Sequence, residues 1–172
     1  MRRKKVLGGL LIVMVLFIAP SVQAQANSLS TFPTEEETGV PAEIYQTAEV
    51  IGSEFNICPE LLLAIAERES RFQEDATNGP CKGLMQLNTS CHRNRFEERG
   101  WSADEWNDGY KNMTIAADYL AELFEQYEDV GIVLGVYHGE SNAIGRGKSG
   151  KLSSYVNKIL ERSEELERIA GK

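Results

Sequence analysis

The sequence predicts a mainly α-helical domain. Apolar residues recur every three or four positions in several segments, which is the spacing of an amphipathic helix. No segment shows a convincing alternation of apolar and polar residues, which would indicate strands, and no internal repeat is present. We therefore expect helices around one core, with at most a minor hairpin near the Gly83 turn.

The first 24 residues predict a secretory signal peptide. Four basic residues near the start are followed by a 14-residue apolar run from Val6 to Ala19 and by small residues up to Ala24. Because this run is short for a membrane span, we expect cleavage after Ala24, and a link to the membrane only if the segment stays uncleaved. The mature protein is then expected in secreted or cell-envelope space, the periplasm or the extracytoplasmic wall space.

The remaining chain divides into a linker and one domain. Residues 25–40, rich in Ser, Thr, Pro and Glu, predict a disordered linker, and residues 41–170 predict a single folded domain. Removing the signal leaves 148 of the 172 residues and changes the formal net charge from −8 to −12, because the segment holds four basic residues and no acidic ones. This acidity argues against nucleic-acid binding, which favours a basic face.

The expected helices follow from start signals and apolar spacing. The first begins near Pro41, with an apolar stripe that ends at Phe55, and the second begins at Pro59, since proline suits a first helical turn. That second helix contains neither Gly nor further Pro up to Phe72, whose side chain is expected on its apolar side. A short helix is expected after Asn88.

The second half of the chain gives further start signals. Residues 102–105 match a capping box, and Asn112 is expected to cap a longer helix. Another helix is expected from about Val130 to Tyr137. Residues 142–150 are glycine-rich and basic and predict a loop, after which a last helix begins near Ser153 and frays into the charged tail.

The second helix carries two glutamates in different environments. At about 100° per residue, Glu69 falls on the apolar side, one turn after Ile65. Glu67 points the other way and lies four residues before Arg71, a spacing that favours an ion pair. We therefore expect Glu69 to be a carboxyl group that stays protonated near neutral pH. The alternative is a buried structural acid paired with Arg68 or another cation.

Four motifs occur in the same order as in a known protein family. They are Glu69-Ser70-Arg71-Phe72 with Gly83-Leu84-Met85-Gln86, Asn112-Met113 with Tyr119-Leu120, Val136-Tyr137-His138, and Tyr155-Val156 with Ile159-Leu160. Together they resemble the soluble lytic transglycosylase (SLT) family, relatives of goose-type lysozyme. The resemblance covers about Pro41 to Glu161 and implies the lysozyme-like fold, with helical lobes around a substrate groove.

The resemblance implies a carbon–oxygen lyase that acts on peptidoglycan glycan strands. The family cleaves the β-1,4 bond between N-acetylmuramic acid and N-acetylglucosamine without water. One Glu protonates the leaving oxygen, the substrate's acetamido group steadies the cation, and the same Glu then takes a proton from the C6 hydroxyl. The product is a 1,6-anhydro-muramoyl end. No metal or cofactor is implied.

Two other functions remain open at this stage. One is hydrolysis of the same bond by a goose-type lysozyme-like enzyme, and the other is a glycan-binding or scaffold module without activity. Service to a secretion, conjugation or phage apparatus is a further expectation about partners, suggested by the small size of the chain and the lack of a recognisable wall-binding repeat.

Matching the motifs residue by residue implies a set of groove residues. Glu69 is the expected acid and base, Met85 and Gln86 line the groove beside it, and the Tyr137 hydroxyl lies near the acid and the substrate. Ser70 belongs to the motif with a supporting role. The alternative for Met85 and Tyr137 is core packing, and for Gln86 it is bracing of the loop.

The chain departs from the family pattern at two expected groove positions. Asn88 begins an Asn-Thr pair where the family often has Met-Pro, and His138 replaces the usual Asn. Both are included among the expected substrate-binding residues. His138 titrates close to physiological pH when unperturbed, so it is expected either to sharpen the pH profile or to act as a structural hydrogen-bonding substitute.

Three cysteines remain after signal removal, Cys58, Cys81 and Cys91. In an exported protein, this odd count allows one disulfide and one spare thiol. We expect Cys81 to pair with Cys91, closing a small loop around the Gly83–Gln86 turn, while pairing of Cys58 with either partner stays open. A zinc site is not expected, because Cys91 and His92 are adjacent and no Cys-x-x-Cys is present.

Overall fold

The computed structural model describes residues 32–172, so the expected signal peptide and residues 25–31 of the expected linker lie outside the described residues. Within this part, the fold is eight α-helices and one small three-stranded sheet. The predicted mainly α fold class is confirmed. No helix of the described part is long and apolar enough to cross a membrane.

The elements follow one another with short connections. The helices are α1 (Glu35–Thr38), α2 (Ala42–Phe55), α3 (Pro59–Ser70), α4 (Arg93–Glu98), α5 (Gly109–Tyr127), α6 (Val130–Tyr137), α7 (Ala143–Ser149) and α8 (Ser154–Ile169). The strands are β1 (Thr77–Asn78), β2 (Cys81–Lys82) and β3 (Leu87–Asn88), and a 3₁₀ turn (Ala103–Glu105) precedes α5.

The small sheet lies between α3 and α4 in the chain. It is antiparallel in the order β1-β2-β3, with Cys81 opposite Asn78 on one side and opposite Asn88 on the other. The Gly83–Gln86 turn joins β2 to β3, so the predicted minor hairpin is present in this region.

Helix α3 lies at the centre of the core. Its residues Leu61–Ala66 are all buried, and it packs against α2 on one side and α8 on the other. Helix α5 packs against α2 and α6. Since a helix buried over several turns is held by packing on all its faces, α3 is a rigid support for the residues at its C-terminal end.

The C-terminal end of α3 differs from the prediction, which placed Phe72 on the apolar side of this helix. Helix α3 ends at Ser70, and both Arg71 and Phe72 have left-handed backbone conformations, with φ of 55° and 64°. The Arg71 amide still closes the helix by donating to the Glu67 carbonyl at 3.0 Å. Two consecutive left-handed residues without Gly are unusual, and they turn the chain away from the helix axis into the loop beside the sheet.

Two predicted side-chain roles are wrong. Glu67 does not pair with Arg71, which lies outside the helix; it pairs with Arg162 on α8, whose Nε lies 2.6 Å from Glu67 Oε2. Asn112 does not cap α5. Asp108 does so by accepting a hydrogen bond from the Lys111 amide at 3.0 Å, while Asn112 is buried one turn into the helix.

The loop predicted over residues 142–150 is also wrong, because residues 143–149 form α7. Its glycines permit a close approach to α6. A Cβ at Gly147 would lie 2.2 Å from Ile132, and one at Gly135 on α6 would lie 2.9 Å from Ala143. The packing against α6 therefore stabilises a helix that glycine propensity alone disfavours.

The structure describes residues 32–40 of the expected linker, and these residues include a short helix instead of the predicted disorder. Thr34 and Glu37 form a capping box around α1, and the Val40 side chain is buried in the core. In contrast, the capping box predicted at Ser102 and the helix predicted over residues 130–137 are both confirmed.

Candidate active site

A groove of about 940 Å³ runs between the C-terminal end of α3, the small sheet, α4, α5 and α6. Glu69 lines it from the last turn of α3, and Tyr137 and His138 line it from the end of α6. Among the described residues that line this groove, Glu69 is the only carboxylate. The groove can therefore offer one carboxyl group to a bound ligand.

The Glu69 carboxyl group is mostly removed from water, with 16% of its side chain exposed. Burial raises its pKa above the ordinary value, because the charged carboxylate loses hydration. A hydrogen bond from Tyr155 and the charges of His138 and Arg68 act in the opposite direction without cancelling the effect of burial. The result is a partly accessible carboxyl group that holds its proton more tightly than a surface glutamate.

Two aromatic side chains organise the Glu69 carboxyl group. The Tyr155 hydroxyl donates a hydrogen bond to Glu69 Oε1, and His138 Nδ1 lies 3.9 Å from the same oxygen. The His138 ring stacks on the Tyr155 ring, with centroids 3.6 Å apart and planes at 11°. Both contacts fall on Oε1, so Oε2 is the oxygen left for a substrate within this arrangement.

Tyr137 lines the same groove from the end of α6 and holds the Gly83–Gln86 turn. Its hydroxyl donates to the Met85 carbonyl at 2.8 Å, and burial raises its pKa well above the ordinary value. The Tyr137 phenol therefore stays neutral and acts as a donor to the backbone. Tyr137 also lines the groove, while its hydroxyl is engaged by the backbone of the turn, and the expected role of that hydroxyl beside the acid and the substrate stays a prediction.

The Met85 side chain is corrected from a groove residue to a core residue. It is fully buried and does not line the groove. Its backbone is what matters to the site, since the amide donates to Asn112 Oδ1 at 2.8 Å while the carbonyl accepts from Tyr137. The Met85 side chain therefore packs in the core, which was the alternative to a groove position.

Asn112 supports the same turn from inside α5. Its amide nitrogen donates to the Lys82 carbonyl at 3.2 Å and to the Trp106 carbonyl at 2.9 Å, in addition to the Met85 contact. Gly83 passes directly over this amide with φ of 81°, and a Cβ there would lie 2.2 Å from Asn112 Nδ2. Only glycine fits both the conformation and the contact.

Gln86 lines the groove while its amide braces the loop. Its Nε2 donates to the Ala76 carbonyl at 3.0 Å and to the Gly83 carbonyl at 2.9 Å. Both contacts use the amide nitrogen, so bracing of the loop accounts for Nε2. The side-chain oxygen Oε1 is left to accept a hydrogen bond from a ligand in the groove.

The other two expected residues contribute mainly to local structure. The Ser70 hydroxyl donates to the Ala66 carbonyl at 3.1 Å, within α3, and the residue is buried at the groove wall. Asn88 Oδ1 accepts from the Ser90 amide at 3.2 Å and caps the turn after β3. Both line the groove, Ser70 as a supporting residue and Asn88 next to the sheet.

The predicted Cys81–Cys91 disulfide is not formed in this structure, in which all three cysteines are thiols. Both Cys81 and Cys91 line the groove. Cys81 is the cross-strand partner of Asn88, and the Cys91 amide donates to the Asn88 carbonyl at 3.0 Å. The Cys81–Cys91 disulfide therefore stays a prediction. Both cysteines neighbour Asn88, so the fold brings them into the same segment of the groove wall.

The sequence interpretation missed three groove-side residues. Tyr155 was noted as part of the last motif but was given no role, and its contact with Glu69 spans 86 residues of chain. His92 and Tyr119 line the groove opposite Glu69, with ring centroids 4.7 Å apart. The Tyr155-Val156 and Tyr119-Leu120 motifs carried the signal for two of them, while nothing in the sequence pointed to His92.

The family model of the transglycosylase SLT domain matches residues 46–158 of this chain, well over half of its 172 residues. The chain belongs to this family. The match includes Glu69, the Gly83–Gln86 turn, Tyr137 and Tyr155, and it confirms the SLT resemblance. The comparison with curated proteins gave no match. SLT membership supports a transglycosylase-type enzyme that acts on peptidoglycan, a polymer outside the cytoplasm.

Proposed function

We propose that this SLT-domain protein is a peptidoglycan lytic transglycosylase in which Glu69 acts first as acid and then as base. The observation that carries the proposal is a single, mostly buried carboxyl group of raised pKa in the wall of a groove. Glycoside hydrolysis ordinarily needs a second carboxylate, as base or nucleophile. Three aspartates lie nearby in the chain, one shortly after α3 and two shortly before α5, but none of them lines the groove: Asp75, Asp104 and Asp108.

The first step is proton transfer to the leaving glycosidic oxygen. A glutamate with a raised pKa holds its proton to a higher pH than an ordinary glutamate does, and the contacts of Oε1 leave Oε2 to carry the proton. As the bond to the leaving sugar breaks, positive charge develops at C1 of the muramoyl residue, where the acetamido oxygen of the substrate can steady it.

The second step returns the proton. The Glu69 carboxylate removes the proton from the C6 hydroxyl of the muramoyl residue, and that oxygen bonds to C1 to close the 1,6-anhydro ring. No water enters the product, so atoms and charge balance within the substrate and Glu69. The Tyr155 hydrogen bond favours the carboxylate formed between the two steps and offsets part of the burial that opposes this charge.

Mass spectrometry of digested sacculi tests the reaction. Products from the purified mature protein are expected to end in anhydro-muramoyl residues, lighter by one water than the reducing ends that hydrolysis gives. Products with reducing ends alone would refute the lytic transglycosylase and indicate a lysozyme-like hydrolase. The absence of any cleavage would favour a glycan-binding module without activity.

The role of Glu69 has its own test. Glu69→Gln keeps the size of the side chain and an oxygen that accepts from Tyr155, but it has no proton to donate. We expect the rate of wall clearance to fall by at least about 10²- to 10⁴-fold, the usual contribution of a general acid or base. Binding to sedimented sacculi is expected to stay close to wild type. Clearance by this variant at the wild-type rate would refute the assignment.

We further propose that the chain acts in the cell envelope or outside the cell after export. The N-terminal signal supports this, together with a substrate that lies outside the cytoplasm. Association with a secretion, conjugation or phage apparatus remains a proposal about context, for which co-purification of the exported protein is the direct test.

A further inference from the structure

A second cavity adjoins the groove at the end of α3. It has a volume of about 520 Å³ and shares Arg68 and Arg71 with the groove lining. Four cationic side chains line it, Arg68, Arg71, Lys158 and Arg162, against one carboxylate, Glu67. We call this cavity the basic pocket.

One of the four cations is already neutralised. Arg162 lies 2.6 Å from Glu67 and 2.8 Å from Glu165, and it also donates to the Thr38 carbonyl at 2.5 Å. Its role is to join α8 to α3 and to the end of α1. Glu67, the one carboxylate of the basic pocket, is therefore paired with Arg162. The positive charges of Arg68, Arg71 and Lys158 have no carboxylate within ion-pair distance in the described residues.

Those three cations have no carboxylate partner within residues 32–172. Arg71 and Lys158 are exposed and make no ion pair there, and the Arg68 guanidinium lies over the Tyr155 ring, 5.9 Å from its centroid. The left-handed backbone at Arg71, with φ of 55°, takes this residue off the helix axis to the edge shared by the two cavities. The free cations therefore lie next to the groove.

This arrangement contrasts with the rest of an acidic chain, whose formal net charge is −8. Unbalanced cations beside a binding groove raise the local concentration of anionic groups and orient them. An arginine is also suited to bind a carboxylate through paired N–H donors. The basic pocket is therefore suited to an anionic substituent of whatever polymer occupies the groove.

We propose that the basic pocket binds a carboxylate of the stem peptide on the muramoyl residue that lies in the groove. This inference rests on the proposed function. The sugar backbone is uncharged at the cleaved bond, whereas the peptide on the lactyl group of muramic acid carries free carboxylates. Because the peptide is attached to the bound sugar itself, its carboxylate arrives at high effective concentration. The pocket thus makes the enzyme selective for peptide-bearing strands.

The experiment compares two substrates and five variants. Peptidoglycan freed of phosphate-bearing polymers is used with its stems intact, or after an amidase has removed the stems and the lactyl carboxylates that this hydrolysis leaves have been converted to neutral amides. Arg71→Gln and Lys158→Gln each remove one free cation, and their double variant removes both. Lys148→Gln and Arg168→Gln are the matched controls, since both residues are exposed and line neither cavity.

On stem-bearing strands, Lys158→Gln is expected to raise KM by up to about 5-fold, the range for one exposed charge pair, with kcat nearly unchanged, and the double variant is expected to raise KM further. On stripped strands, the KM of Lys158→Gln is expected to match wild type, because Lys158 does not line the groove, and the controls are expected to match wild type on both substrates. The KM effect on stem-bearing strands is also expected to shrink at high salt.

Equal KM effects on both substrates would overturn the inference, as would an equal effect of the control variants. An effect that appears only while phosphate-bearing polymers are still attached would assign the pocket to those polymers and would also overturn it. Failure of the proposed function is a separate outcome, because wild type would then release no anhydro products from either substrate.

Discussion

At the scale of single residues, Glu69 combines two opposing needs. Its carboxyl group lies mostly buried at the end of a core helix, which raises its pKa and favours the protonated form that the proposed mechanism requires. The same burial opposes the carboxylate that forms once the proton is given away. Tyr155 meets this second need from a different helix, by a hydrogen bond to Oε1.

The raised pKa of Glu69 has a cost in stability with a defined sign. The folded protein binds this proton more tightly than the unfolded chain, so stability falls as pH rises from the ordinary carboxyl pKa through the raised one. Glu69→Gln removes this cost. We expect the variant to have a higher Tm than wild type at neutral pH and nearly the same Tm below about pH 4.

Differential scanning calorimetry at both pH values measures this difference. A variant less stable than wild type at neutral pH would show that the carboxylate is not penalised by its site. An equal gain at both pH values would assign the effect to packing of the amide instead of the charge.

Removing the Tyr155 hydroxyl tests the other half of the pair. Tyr155→Phe keeps a ring for His138 to stack on but removes the donor that lowers the pKa of Glu69. The pKa of Glu69 is then expected to rise further. Since a general acid works only while protonated, the alkaline limb of the kcat/KM profile is expected to move to higher pH.

The matched control for this variant is Tyr110→Phe, because Tyr110 is exposed and lies outside the groove. Its pH profile is expected to coincide with that of wild type. An alkaline limb that stays in place in Tyr155→Phe, or moves to lower pH, would mean that the hydrogen bond does not tune the acid.

At the scale of elements, the site depends on a turn that α5 and α6 hold from two sides. Asn112 on α5 contacts Met85 and the carbonyls of Lys82 and Trp106, and Tyr137 on α6 contacts the Met85 carbonyl. The Gly83–Gln86 turn has little regular structure of its own. These two helices therefore determine where Gln86 lies relative to Glu69.

Asn112 is a testable part of this support. Asn112→Ala leaves buried backbone groups without partners, and Asn112→Asp turns an acceptor toward two carbonyl oxygens. We expect each to lower the free energy of unfolding by about 1–3 kcal/mol, with Asp no better than Ala despite its similar shape. Urea denaturation measures this. Asn157→Ala, at an exposed position of α8, is the control and is expected to change stability by less than about 0.5 kcal/mol.

The cysteine pair adds a covalent prediction at the same scale. In protein exported through an oxidising compartment, we expect Cys81 and Cys91 to form the predicted disulfide, so that alkylation without reductant labels Cys58 alone. This small loop would stabilise the fold by up to about 3 kcal/mol, so Tm is expected to fall on reduction. Labelling of all three thiols in the exported protein, read by mass spectrometry, would contradict the pairing.

Local patterns predicted local structure well and long-range contacts poorly. The 100° spacing placed Glu69 on the buried side of its helix, and Asp129 starts α6 where the sequence predicted. Asn112 was misjudged because an Asn near a helix start resembles a cap, and its real partners lie 27 and 30 residues away. Helix α7 was missed because its glycines are explained only by the surface of α6.

At the scale of the whole molecule, α3 carries a buried glutamate near each end, and the two behave in opposite ways. Burial raises the pKa of both carboxyl groups. At Glu60, hydrogen bonds from Cys58 and Lys172 outweigh burial, and the net pKa is lowered. Glu60 also lies in the first helical turn, where the helix dipole favours a negative charge, whereas Glu69 lies in the last turn, where it does not.

The Glu60 cluster joins three helices at the end of the core away from the groove residues. Tyr45 of α2 lies 3.5 Å from Glu60 Oε1, Cys58 Sγ lies 3.0 Å from Oε2, and Lys172, beyond α8, lies 2.7 Å from Oε1. Glu60 itself has no exposed surface. Helices α2 and α8 both pack against α3, so the contacts of Glu60 link the three helices at this end of the core.

A lowered pKa in the folded state contributes stability that is present above the ordinary carboxyl pKa and is lost as pH falls through the lowered one. Lys172→Gln removes the cation and raises the pKa of Glu60 toward its ordinary value. We expect the free energy of unfolding to fall by about 1 kcal/mol at neutral pH, a modest value because 47% of the Lys172 side chain is exposed and screened by water.

The difference between wild type and Lys172→Gln is expected to vanish in acid, where Glu60 is protonated in both proteins, and to narrow at high salt. Urea denaturation across this pH range gives both values. Lys151→Gln is the matched control, because Lys151 is exposed and lies outside the cluster. Equal midpoints for wild type and Lys172→Gln at neutral pH and low salt would mean that Cys58 and Tyr45 alone hold the buried carboxylate, and that the three helices close without the cation.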